Sequence, residues 1–109
     1  MQIVIEIDGK DKTFYTSKVP VMAKRKYLEV MAKNEDKYIE NEDYRPSAQE
    51  QLDEEIELAG ILTDIVFKNQ FTIEQLLYGV DDKYLYDKLR EAVFGEKPKE
   101  QSEGNEQGK

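Results

Sequence analysis

Residues 68–85, KNQFTIEQLLYGVDDKYL, decide how this chain folds. Thr72 and Gln75 stand at the spacing of a capping box, in which each side chain accepts a hydrogen bond from the other residue's otherwise orphaned backbone N–H. Phe71, just before the cap, is placed to pack on Leu76 as a hydrophobic staple. Gly79 is expected to end the short helix over 73–78, because the position after a helix often takes a left-handed backbone that suits glycine. Asp81 or Asp82 then caps a last helix carrying Leu85, Leu89, Ala92 and Val93, which ends at Gly95. The stretch is a corner between helices.

Upstream, Ser47 and Glu50 form a second capping box. The helix they open runs through Leu52, Ile56, Leu58, Ala59, Ile61, Leu62, Ile65, Val66 and Phe67. Its first half has an acidic open face of Asp53, Glu54, Glu55 and Glu57. From Leu58 onward apolar residues cover most of its circumference, which predicts a central position in the domain. Residues 21–40 read as an amphipathic helix with Val21, Leu28, Met31, Ala32, Tyr38 and Ile39 as the apolar set. Pro20 suits its first turn, and Lys24, Arg25 and Lys26 lie near its start, where pairing with nearby carboxylates accounts for them. The polar break NEDYRP separates the two long helices.

At the N-terminus, residues 2–8 alternate Ile3, Ile5 and Ile7 against Gln2, Glu6 and Asp8, the period of a half-buried strand. DGKDK follows as a turn, and TFYTSKV, residues 13–19, as the returning strand. An isolated hairpin is marginal in water, so one face must lie on the helices. Residues 96–109 carry no apolar side chain and are expected to form a disordered acidic tail. The fold class is therefore α+β: an N-terminal β-hairpin packed on a bundle of about four α-helices, in one domain over residues 1–95.

Composition narrows the function. With 24 acidic against 16 basic residues the chain carries a net charge of −8, which argues against a nucleic-acid binder, since such a surface tracks phosphates with an excess of Lys and Arg. No apolar run is long enough to span a bilayer, and the start does not resemble a signal peptide, which predicts a cytosolic protein. There is no cysteine and no histidine, so thiolate metal sites and the usual general base are missing. The acid-rich stretches lack the order of a calcium loop, and DGKDKT lacks the upstream glycine of a phosphate-binding loop. No catalytic, cofactor or metal site is expected. Large apolar and aromatic side chains concentrate instead around the corner and the last helix. Phe67, Phe71, Tyr78, Tyr86, Leu89 and Phe94 are the candidate protein-binding residues, with Phe71 and Leu76 also suited to a structural role.

The segments IEIDGKDKTFYTSKVPVMAKRKYLEVM (5–31) and IVFKNQFTIEQLLYGVD (65–81) resemble the tail assembly chaperones of tailed phages and prophages of Gram-positive bacteria. The resemblance covers roughly residues 2–94. It implies a protein of the host bacterial cytoplasm that binds the tape measure protein, keeps it soluble and assists tail-tube polymerisation, and is absent from the finished particle. The partners it implies are the tape measure protein, the major tail-tube protein and a longer frameshifted form of the chain. The apolar side chains around the corner and last helix also suit contact with further copies of itself, while the net charge and the lack of a long apolar run predict no nucleic acid and no membrane. Two other readings remain open on the residues: an acidic inhibitor that mimics DNA, and a structural tail component.

Overall fold

A computed structural model describes residues 1–95; the expected tail, residues 96–109, lies outside the described residues. Strands β1 (Gln2–Ile7) and β2 (Lys10–Tyr15) form an antiparallel hairpin with Ile7 opposite Lys10 and Ile3 opposite Phe14. The turn is tighter than DGKDK suggested. Asp8 and Gly9 alone make it, both with positive φ (55° and 78°), the two-residue geometry that matches strand twist. Lys10, Asp11 and Lys12 consequently belong to β2, and residues 16–19 lead into the first helix rather than extending the strand.

Helix α1 (Val21–Glu40) starts directly after Pro20, whose backbone is extended rather than helical. Helix α2 (Ala48–Gly60) opens on the Ser47/Glu50 box, with the Glu50 N–H donating to Ser47 Oγ at 3.1 Å and the Ser47 N–H to Glu50 Oε1 at 2.9 Å. The expected continuation through Phe67 is not α-helical: Ile61–Val66 winds as a π-helix, and the Phe67 N–H donates to the Leu62 carbonyl at 2.9 Å. Within this turn Thr63 is buried, and its hydroxyl lies within reach of the Gly60 carbonyl (3.3 Å) and Asp64 Oδ1 (3.0 Å). Lys68 and Asn69 then reverse the chain, both left-handed, with φ of 53° and 65°.

Helix α3 (Ile73–Gly79) carries the Thr72/Gln75 box in full, both bonds at 3.0 Å. Phe71 and Leu76 are both buried in the core. Helix α4 (Asp82–Phe94) is capped by Asp81, which accepts the Tyr84 N–H at 2.8 Å, and it stops at Gly95 with φ 74°. Gly79 ends α3, but not by turning left-handed. It is the last helical residue, and a Cβ there would overlap Ile5 Cγ2 and lie 2.5 Å from the Glu6 carbonyl oxygen. Glycine is needed because α3 presses on the backbone of β1.

The core gathers Ile3 and Ile5 from the hairpin, Ala23 and Val30 from α1, and Leu58, Ala59, Ile61, Leu62, Val66 and Phe67 from the central segment, which packs where its all-round hydrophobicity predicts. Leu76, Leu85, Leu89, Ala92 and Val93 close it from α3 and α4. Tyr84 secures the hairpin further, since the Val4 N–H donates to its hydroxyl at 3.0 Å. On α1 the inward face differs from the expected one. Ala23, Tyr27 and Val30 pack inward, whereas Val21 and Ile39 are about four-fifths exposed and Leu28, Ala32 and Tyr38 also face solvent; Met31 alone of the expected set packs against the core. Among the described residues no helix is long and apolar enough to cross a membrane.

Candidate functional site

Helices α1 and α2 are tied by three polar contacts in descending register. Lys33 Nζ meets Glu57 Oε2 at 3.1 Å, Asn34 Nδ2 donates to Glu54 Oε1 at 2.9 Å, and Lys37 Nζ donates to Glu50 Oε2 at 3.0 Å. Glu50 thus serves two structures, holding the α2 cap with one oxygen and α1 with the other. The Ser47 N–H first, then Tyr44 and Lys37, hold its carboxyl down at about 2.

The 41–47 connection lays Tyr44 into the same joint. Its ring sits edge-on to Tyr38 at 5.2 Å between centroids, and Lys37 Nζ lies 5.7 Å from the ring centre. The Tyr44 hydroxyl is buried facing Glu50, whose carboxylate, followed by burial, raises its pKa. Among the described residues this oxygen has no hydrogen-bond partner.

Tyr44 stands between two clefts. One, about 590 Å³, lies between the C-terminal half of α1, α2 and the start of α4; Tyr38, Leu52 and Tyr86 supply apolar surface, and Glu54, Glu55 and Asp82 supply charge. The other, about 540 Å³, is bordered by Lys33, Ile56 and Glu57. The first combines aromatic rings, an exposed leucine and a carboxylate rim. Burial, then Asp82, Glu55 and Glu54, raise the Tyr86 pKa, so its phenol stays protonated. Such a cleft can hold an apolar segment flanked by basic side chains. Among the described residues no group of three acidic side chains is placed to hold a metal ion.

The six candidate residues are not brought together. Phe67, Phe71 and Leu89 are buried. Phe71 packs on Phe14 and Phe67, with centroids 4.9 Å and 5.4 Å away, so these rings hold the corner and the hairpin in place. Tyr86 reaches the cleft. Tyr78 is 86% exposed on α3. Phe94 lies at the far end of α4, edge-on to Tyr27 at 5.5 Å and beneath Lys24. Sequence reasoning missed Tyr38 and Leu52 as cleft residues. Leu52 and Ile56 are one turn apart among the acids of α2, an apolar pair that signals an exposed contact once the acidic face is known to point outward.

A family model described as "Phage tail chaperone protein" matches residues 1–109. No curated protein and no solved structure matches the chain. The chain belongs to the phage tail chaperone family.

Proposed function

From membership of that family, we propose that the chain binds the tape measure protein in the host bacterial cytoplasm, keeps it soluble until tail-tube subunits polymerise around it, and is absent from the mature virion. The carrying observation is the family match along the whole chain. The cleft supports it as a place of binding. Tyr38, Leu52 and Tyr86 offer apolar anchors for one face of a helical segment, and Glu54, Glu55 and Asp82 are positioned for basic side chains beside that face. Tyr78 and Phe94 are the other exposed members of the original candidate set and extend the available surface. The work is done by binding, with no covalent step.

The resemblance also makes the major tail-tube protein a second partner. It makes a longer form of this chain, produced by ribosomal frameshifting, a third; a slippery heptamer with an overlapping frame at the gene's end tests that directly. The central test is co-expression with the long helical protein encoded downstream. The expected result is a large gain in that protein's soluble yield, lost with Leu52→Glu and Tyr86→Ala, and no trace of the chain in purified particles. Equal insolubility with and without the chain overturns the reading, and so does its presence in finished virions.

A further inference from the structure

Helix α1 carries a second apolar stripe on the side away from the core. At about 100° per residue, Val21, Leu28, Ala32 and Ile39 fall within about 20° of one line, directly opposite Ala23 and Val30. All four are exposed, Val21 and Ile39 to 83% and 80%. Both Val21 to Ala32 and Leu28 to Ile39 span eleven residues, so the stripe runs nearly straight along the helix for about 27 Å. Scattered apolar residues on a surface need no explanation, but an aligned set along five turns does.

The flanks of the stripe point to its occupant. They are basic in the first half of the helix, at Lys24 and Arg25, and acidic in the second, at Glu35 and Asp36. We propose that this face binds the same face of a second copy of the chain, the two α1 helices antiparallel about a two-fold axis at the level of Val30. In that register Val21 meets Ile39 of the second copy and Leu28 meets its Ala32, large against small at the centre.

A two-fold axis of this kind brings like flanks together. Lys24 therefore meets Glu35 of the second copy on one flank, and Arg25 meets Asp36 on the other. Among the described residues Lys24, Glu35 and Asp36 have no ion-pair partner in their own chain, and Lys24 Nζ lies over the Phe94 ring, 5.9 Å from its centre. The one like-charge approach is between the two Glu29 side chains, each already held by its own Arg25 (3.7 Å) and Lys26 (4.0 Å). A parallel arrangement loses both complementary flanks. A contact one helix wide belongs at the small end of the interface range, so the dimer is weak and concentration-dependent. At about 0.15 M salt the net charge of each chain is screened over about 8 Å while contact pairs persist.

The inference concerns the chain alone and does not depend on what else it binds. Its test is sedimentation equilibrium of the purified full chain from micromolar to millimolar concentration, with circular dichroism to show that each variant stays folded. The expected result is a monomer–dimer equilibrium abolished by Leu28→Glu, weakened about tenfold or more by Lys24→Glu, and restored when Glu35→Lys is added to it. Lys24→Glu creates no like-charge neighbour one turn away on its own helix, so recovery in the double variant reports the contact between copies. A chain monomeric throughout overturns the proposal. A dimer indifferent to Leu28→Glu overturns the surface, and a dimer not restored in the double variant overturns the antiparallel register. If the chain is monomeric yet Leu28→Glu abolishes capture of the tape measure protein, the stripe serves that partner and not a second copy.

Discussion

Replacing Gly79 by alanine tests whether α3 is seated on the hairpin as tightly as the structure requires. Gly79 has no left-handed backbone to preserve, and inside a helix alanine is preferred over glycine by about 0.5–1 kcal/mol. Propensity alone therefore predicts a more stable protein. Packing predicts the reverse. The new methyl would overlap Ile5 Cγ2 and stand 2.5 Å from the Glu6 carbonyl oxygen and 3.0 Å from the Glu6 nitrogen. Two of those three atoms are backbone in a paired strand, so no rotamer change relieves them, and α3 must lift from β1. Overpacking of this kind costs about 1–3 kcal/mol; with two backbone atoms in the way the upper part of that range applies, about 2–3 kcal/mol, and subtracting the propensity gain leaves a net loss of about 1–2.5 kcal/mol. For a domain of this size that lowers Tm by about 4–8 °C per kcal/mol. Gly60→Ala is the control, because a Cβ there meets only Asp64 Oδ2 at 3.9 Å, and it should raise stability by about 0.5–1 kcal/mol. Urea unfolding followed by far-ultraviolet circular dichroism measures both. A Gly79→Ala protein as stable as the parent, or more so, refutes the close approach of α3 to β1.

Glu50 sets an acid limit on stability. Its pKa is lowered from 4.5 to about 2, so its contribution is complete above pH 4.5 and disappears as pH falls toward about 2; thermal melts of Glu50→Gln should show a flatter stability profile across that window. Lys68 holds φ at 53° without the freedom of glycine, and Lys68→Gly should stabilise the chain by about 0.5 kcal/mol in urea unfolding, the relief of left-handed strain exceeding the entropy cost. Glu6 and Asp11 are directly opposite across the hairpin, a like-charge pair, so Asp11→Lys should raise stability by about 0.2–1 kcal/mol, more at low salt than at high.

The elements legible from local chemistry were those whose signals lie within a few residues. Both capping boxes form with the bonds their spacing predicts, Asp81 is the cap of α4, and Gly95 ends it left-handed. The hairpin was legible too, although its turn is two residues long, because backbone pairing draws the polar Lys10–Lys12 stretch into β2 regardless of side-chain polarity. The site was legible only in part. Large apolar residues marked the corner correctly as dense, but density does not distinguish Phe67 and Phe71, which hold the core, from Tyr86, which opens onto a cleft.

What lay in the order of residues was the list of elements, their caps and the direction of the corner, since capping and turn formation are contests between neighbouring groups along the chain. Three features waited on packing. Helix α1 has two apolar stripes, and periodicity cannot say which one faces inward; the core accepts Ala23 and Val30, leaving Val21, Leu28 and Ile39 in solvent. The chain after Gly60 opens into a π-helix, although nothing in its local sequence forbids an α-helix. Gly79 is required by the nearness of β1, more than seventy residues earlier in the chain. Each depends on atoms remote in sequence competing for the same volume, and only the folded arrangement decides that competition.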